Sequence, residues 1–97
     1  MELVIFARFH AREGKEQELA RLLRDQVARV RDEPGCLAID AYGSLSDPRQ
    51  FFIHSRWRDE AAFDVHAKIA STTDFIACAE SLIDHPFDAS RTVRLGS

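Results

Sequence analysis

The chain has 97 residues, 45% of them hydrophobic and 30% charged, with a formal net charge of −3. That length predicts one domain over residues 1–97 with a small core, and the composition argues against disorder. The 13 basic residues are interleaved with 16 acidic ones, so no basic stripe matches a row of phosphates and no nucleic-acid partner is expected.

Met1 leads straight into a strand-like segment without a basic stretch and a long apolar core, so a secretory signal is not expected. No run approaches ~18 apolar residues, and no membrane span is expected. Cys36 and Cys78 lie far apart and outside any CxxC or Cys/His ligand pattern. They read as free, buried thiols in a reducing, cytoplasmic protein.

Leu3 to His10 is rich in β-branched and aromatic residues and predicts a first strand. Leu3, Ile5, Ala7 and Phe9 face one way; Val4, Phe6, Arg8 and His10 face the other. Both faces begin apolar, as in a strand covered on both sides. Helices are expected to cover one side and a partner subunit the other. Glu16 to Asp32 is the clearest helix, with Leu19, Leu22, Leu23, Val27 and Val30 at three- and four-residue spacing. Arg21, Asp25 and Arg29 fall on its outer side, spaced to pair. Pro34-Gly35 stops it.

Cys36 to Leu45 and Gln50 to Trp57 predict two strands joined as a hairpin through Ser46-Asp47-Pro48-Arg49. Phe51, Ile53, Ser55 and Trp57 share one face of the latter strand; Phe52, His54 and Arg56 share the other. Asp59 stands at an N-cap position. Phe63, His66, Ala67 and Ala70 then occupy one helical face. Ser71 and Asp74 have the spacing of a capping box for a further short helix to about Ile83, and His85-Pro86 breaks it. Arg91 to Leu95 reads as a last strand. The order β-α-β-β-α-(α)-β is the ferredoxin-like split pattern of the α+β class, a four-stranded antiparallel sheet with helices on one face.

This order is joined by Glu33-Pro34-Gly35-Cys36 after the first helix and by the Trp57-x-Asp59-Glu60-Ala61-Ala62-Phe63 junction, with His66 three residues on. Together they resemble the antibiotic biosynthesis monooxygenase family of the dimeric α+β barrel superfamily. The resemblance covers essentially the whole chain. It implies a homodimer whose two sheets face each other as a barrel, with a pocket in each subunit between sheet and helices. It also implies a choice of chemistries: cofactor-independent oxygenation of polycyclic phenols and quinols, haem degradation, or isomerisation of a signalling metabolite.

Two departures narrow that choice. The family often has a histidine where this chain has Asp74, directly before Phe75, which counts against a two-histidine mechanism. The haem-degrading branch resembles this chain least: Ala7 stands about where its asparagine lies, His66 about where its tryptophan lies, and the chain contains no asparagine.

His66 matches the family's recurrent pocket histidine and is the expected catalytic base, since imidazole accepts protons at neutral pH. A histidine on an apolar helical face equally reads as a core or interface residue holding a carbonyl. Trp57, Phe63, Phe51 and Phe75 are expected to bind an apolar aromatic substrate, and they equally read as ordinary core. Tyr42 and Arg56 would hydrogen-bond a substrate oxygen if they face inward. Arg8 and His10 are further candidates for the pocket or the dimer seam, whereas His54 and His85 read as solvated or interface residues. His10, His54, His66, Asp40 and Asp64 lack metal-ligand spacing, so no metal centre is expected. No nucleotide-binding or serine-hydrolase motif occurs, and no cofactor is expected.

The expected function is oxidation of a phenolic or quinol-type aromatic by dioxygen, with His66 as base and a homodimer as the working unit. The alternatives are an isomerase of a small carbonyl metabolite and a non-catalytic dimeric module that binds an apolar metabolite.

Overall fold

A computed structural model describes residues 1–96. The elements follow in the order β1 (Leu3–His10), α1 (Glu16–Val30), β2 (Cys36–Gly43), β3 (Gln50–Trp57), α2 (Glu60–Lys68), α3 (Ala70–Glu80) and β4 (Asp88–Thr92). The strands form one antiparallel sheet in the order β2-β3-β1-β4. This is the ferredoxin-like α+β arrangement that the sequence predicts.

Alternation along the strands decides what the sheet buries. Ile5, Ala7 and Phe9 of β1, Ile39 of β2, and Ile53, Ser55 and Trp57 of β3 are buried together beneath the helices. Leu19, Leu23, Gln26, Val27 and Val30 of α1 and Thr72, Phe75 and Ala79 of α3 close over them. Phe6 and Tyr42 point the other way and stay half exposed.

Six local expectations are corrected. The hydrogen-bonded part of β4 is Asp88–Thr92, not Arg91–Leu95, because its register runs from Val4↔Thr92 to Arg8↔Asp88. Pairing with β1 overrides the apolar pattern, and Val93 and Leu95 are left exposed. No capping box forms at Ser71 and Asp74; the N-cap of α3 is Ile69, two residues earlier, and its extended backbone (ψ 152°) separates α3 from α2. Helix α1 ends at Val30 and β2 at Gly43, each two residues short of its expected end. Arg29 donates to Gln26 instead of pairing with Asp25. Cys78 is exposed rather than buried, and Cys36 is half-buried; on α3 the buried stripe passes through Phe75 and Ala79 and leaves Cys78 at its edge.

Candidate functional site

The site is assembled by the corner between α1 and β2. Gly35 adopts φ +82°, the left-handed region that favours glycine. A Cβ there would lie 2.5 Å from the Ala62 Cβ, so glycine is also what lets the corner pack against the first turn of α2. Two hydrogen bonds secure that turn. The Gly35 carbonyl accepts from the Arg58 N–H at 2.8 Å. The Asp59 carboxylate caps α2 by accepting from the Ala62 N–H at 2.9 Å, which holds its carboxyl below the usual range.

With the corner docked, Glu33 reaches the middle of α2. Its Oε1 lies 2.7 Å from His66 Nδ1, and the two side chains are only 15% and 11% exposed. An ionised carboxylate only accepts hydrogen bonds, so this pairing places the imidazole proton on Nδ1 and leaves the Nε2 lone pair free. Thr72 Oγ1, brought in by the break at Ile69, sits 3.3 Å from the same Nδ1. Trp57 supports the ring from below. It is fully buried, its indole N–H donates to Ser55 Oγ at 3.0 Å, and its ring centroid is 4.7 Å from that of His66.

His66 opens onto a cavity of about 190 Å³ between sheet and helices. Its floor is Ile5, Ala7, Phe9, Ile39, Ile53 and Ser55, and Ala89 of β4 and Phe87 just before it form one side. Phe63 and Ala67 of α2 and Phe75 and Ile76 of α3 form the opposite wall. Among the described residues, Gln26, Ser55, His66 and Thr72 are the only polar ones on a lining that is otherwise apolar or aromatic. At one edge, Arg91 of β4 bridges Glu60 and Asp64 of α2 at 2.8 Å each and lies over the Phe63 ring.

The structure brings His66, Phe63 and Phe75 to the cavity wall. Trp57, Phe51, Tyr42 and Arg56 do not line it. Trp57 is sealed beneath His66. Phe51 packs against the core without reaching the cavity. Tyr42 and Arg56 alternate onto the open face of the sheet, where Arg56 pairs with Glu2 at 2.9 Å. Asp74 is exposed on α3. Glu33, Gln26, Ser55 and Thr72 were not singled out from the sequence. Gln26, Ser55 and Thr72 do leave a trace there, as polar residues on otherwise buried faces. Glu33 leaves none beyond its place in the corner motif.

Among the described residues, one group comes close enough together to suggest metal ligands: His10, Asp84 and His85. Its atoms already have protein partners. Asp84 holds His10 Nδ1 at 2.8 Å and the Arg49 guanidinium at 3.0 Å, and Asp47 meets His10 Nε2 at 3.1 Å. A guanidinium on the shared carboxylate opposes a second cation there.

A profile of the antibiotic biosynthesis monooxygenase family matches residues 3–77, from β1 into α3. The Bacillus subtilis protein YcnE is 27% identical over 90 residues, 93% of this chain and 95% of that protein. PA3566 of Pseudomonas aeruginosa superposes with a TM-score of 0.89 at 30% identity, over 98% of this chain and 95% of that one. Rv0793 of Mycobacterium tuberculosis superposes with a TM-score of 0.92 at 24% identity, over 100% and 98% of the two chains. No helix of the described residues is long and apolar enough to cross a membrane. The matched segment carries the corner, His66 and most of the cavity wall, and the chain therefore belongs to the antibiotic biosynthesis monooxygenase family, whose general activity is monooxygenation.

Proposed function

We propose that this protein oxidises a phenolic or quinol-type aromatic with dioxygen, using its own substrate as reductant and the Glu33–His66 pair as base. The observation that carries this reading is the 2.7 Å contact between Glu33 and His66 Nδ1 beside an apolar cavity. Nε2 accepts the hydroxyl proton of the bound aromatic, and Glu33 stabilises the resulting imidazolium. The aromatic anion then gives one electron to dioxygen, and the radical pair joins through a new carbon–oxygen bond. For a hydroquinone, cleavage of the O–O bond leaves one oxygen atom on the ring. The other departs as water with the displaced ring proton, and the product is a hydroxyquinone. The substrate supplies every electron, so neither flavin nor metal is required. The protein's part is to deprotonate the substrate, orient it and exclude water.

The proposed working unit is a homodimer that pairs the open faces of two sheets. Oxygen uptake by purified, metal-free protein with hydroquinones tests the function. Uptake above autoxidation that falls ~100-fold or more in His66→Ala is the expected result. Equal uptake by both proteins would remove His66 from the chemistry. No uptake, with deuterium exchange into a small ketone instead, would replace oxygenation by enolisation on the same base.

A further inference from the structure

We propose that Gln26 selects the ligand: the cavity takes a single-ring aromatic bearing two oxygens, one meeting His66 and the other meeting the Gln26 side-chain amide. This rests on the reading of a phenolic ligand given above. Gln26 is 3% exposed, between Leu23 and Val30 on the buried stripe of α1, and it lines the cavity. A buried amide is costly unless both its ends are paired. Its oxygen accepts from Arg29. A guanidinium only donates, so this contact fixes the amide orientation and turns the NH₂ group to the other side. Among the described residues no hydrogen-bond acceptor meets that NH₂, yet the fully buried side-chain polar atom left without a partner is Glu16 Oε1 and not this one. The Gln26 NH₂ therefore keeps contact with open space, and the cavity that Gln26 lines is where a ligand oxygen can meet it.

The rest of the cavity points the same way. The Ser55 hydroxyl accepts from the Trp57 indole at 3.0 Å and keeps its own proton to donate. His66 Nε2 is a proton acceptor, while Gln26 and Ser55 offer donors from a helix and a strand. This asymmetry suits a ligand that loses a proton at one oxygen and spreads the negative charge onto a second, where preorganised donors stabilise it. Size sets the remaining limit. An apolar cavity of about 150 Å³ holds benzene, so about 190 Å³ suits one substituted ring.

Anaerobic calorimetry with methylhydroquinone, m-cresol and anthrone tests this on the wild type, Gln26→Leu and Gln26→Glu. The wild type is expected to prefer methylhydroquinone over m-cresol by about tenfold or more, the effect of one well-placed hydrogen bond. Gln26→Leu should erase that preference while m-cresol affinity holds. Gln26→Glu keeps an oxygen for Arg29 but presents an acceptor in place of the donor, so it should erase the preference too, and it decides the matter if the leucine variant does not fold. An unchanged preference in the variants, tighter binding of anthrone than of methylhydroquinone, or no binding to the wild type would overturn the proposal. Oxygen uptake, measured separately, keeps the two readings apart. A preference lost in the variants without any wild-type uptake would retain the role of Gln26 and remove oxygenation. Wild-type uptake with an unchanged preference would do the reverse.

Discussion

Glu33 gives His66 its chemical direction. Without an acceptor on Nδ1, a neutral imidazole distributes its proton between both nitrogens; with the carboxylate at 2.7 Å, Nε2 is the free base. Glu33→Gln keeps the size of the side chain but lets an amide N–H donate to Nδ1, which moves the imidazole proton to Nε2. Turnover per active site is therefore expected to fall about 100-fold or more, with the fold intact. The tautomer is read directly from imidazole nitrogen chemical shifts, which should interchange between wild type and variant. Retained activity with an unchanged tautomer would reduce Glu33 to a packing residue.

At the level of elements, the ends of the strands are tied by a cluster around His10. Asp84, before β4, and Asp47, in the β2–β3 loop, accept at its two nitrogens, Arg49 pairs with Asp84, and the His85 ring stacks on it at 5.8 Å. These hydrogen bonds, that to Asp84 foremost, raise the His10 pKa above 6.5. The same contact with His10 lowers Asp84 below 3.8, and Asp47 is lowered first by the Arg49 N–H and then by His10. A raised histidine contributes stability that is complete below its ordinary value and fades as pH climbs through the folded one. Lowered carboxylates contribute stability that is complete above theirs and fades as pH drops through the folded values. Both contributions are therefore complete between about pH 4 and pH 6.5. The melting-temperature gap between wild type and His10→Gln should be widest in that window and shrink as pH rises above it. A gap that grows with rising pH would show that His10 acts as a neutral packing group.

For the whole molecule, thickness is the informative dimension. The shortest extent is 20 Å, which is one sheet and one layer of helices, so no second layer of elements among the described residues covers the other face of the sheet. That face carries Phe6, 52% exposed and tilted against His54 at 5.1 Å, together with Tyr42, 51% exposed, and Phe52. A second copy is the proposed cover. Light scattering at micromolar concentration should give twice the 11.0 kDa chain mass, and Phe6→Asp, which places charge in the centre of the proposed seam, should give the single-chain mass. A wild type that stays at the single-chain mass would remove the barrel.

The elements were legible in the sequence because their signals are local. Period-two alternation marks β1 and β3 with the bounds predicted for them, α1 declares itself by its leucine and valine spacing, and Asp59 marks the start of α2. Which face a residue occupies followed from the same alternation once the helices were placed, and this is what sends Tyr42 and Arg56 away from the cavity. The rest depended on contacts between residues distant in the chain. The bounds of β4 come from its pairing with β1. Glu33 meets His66 across 33 positions because Gly35 lets a corner pack on Ala62. Gln26, Ser55 and Thr72 become polar points of one cavity only when α1, β3 and α3 close over the same apolar floor. The sequence by itself determined the strands, the helices and the histidine; the tertiary structure decided which groups that histidine works with, because a hydrogen bond depends on distance in space and not on separation along the chain.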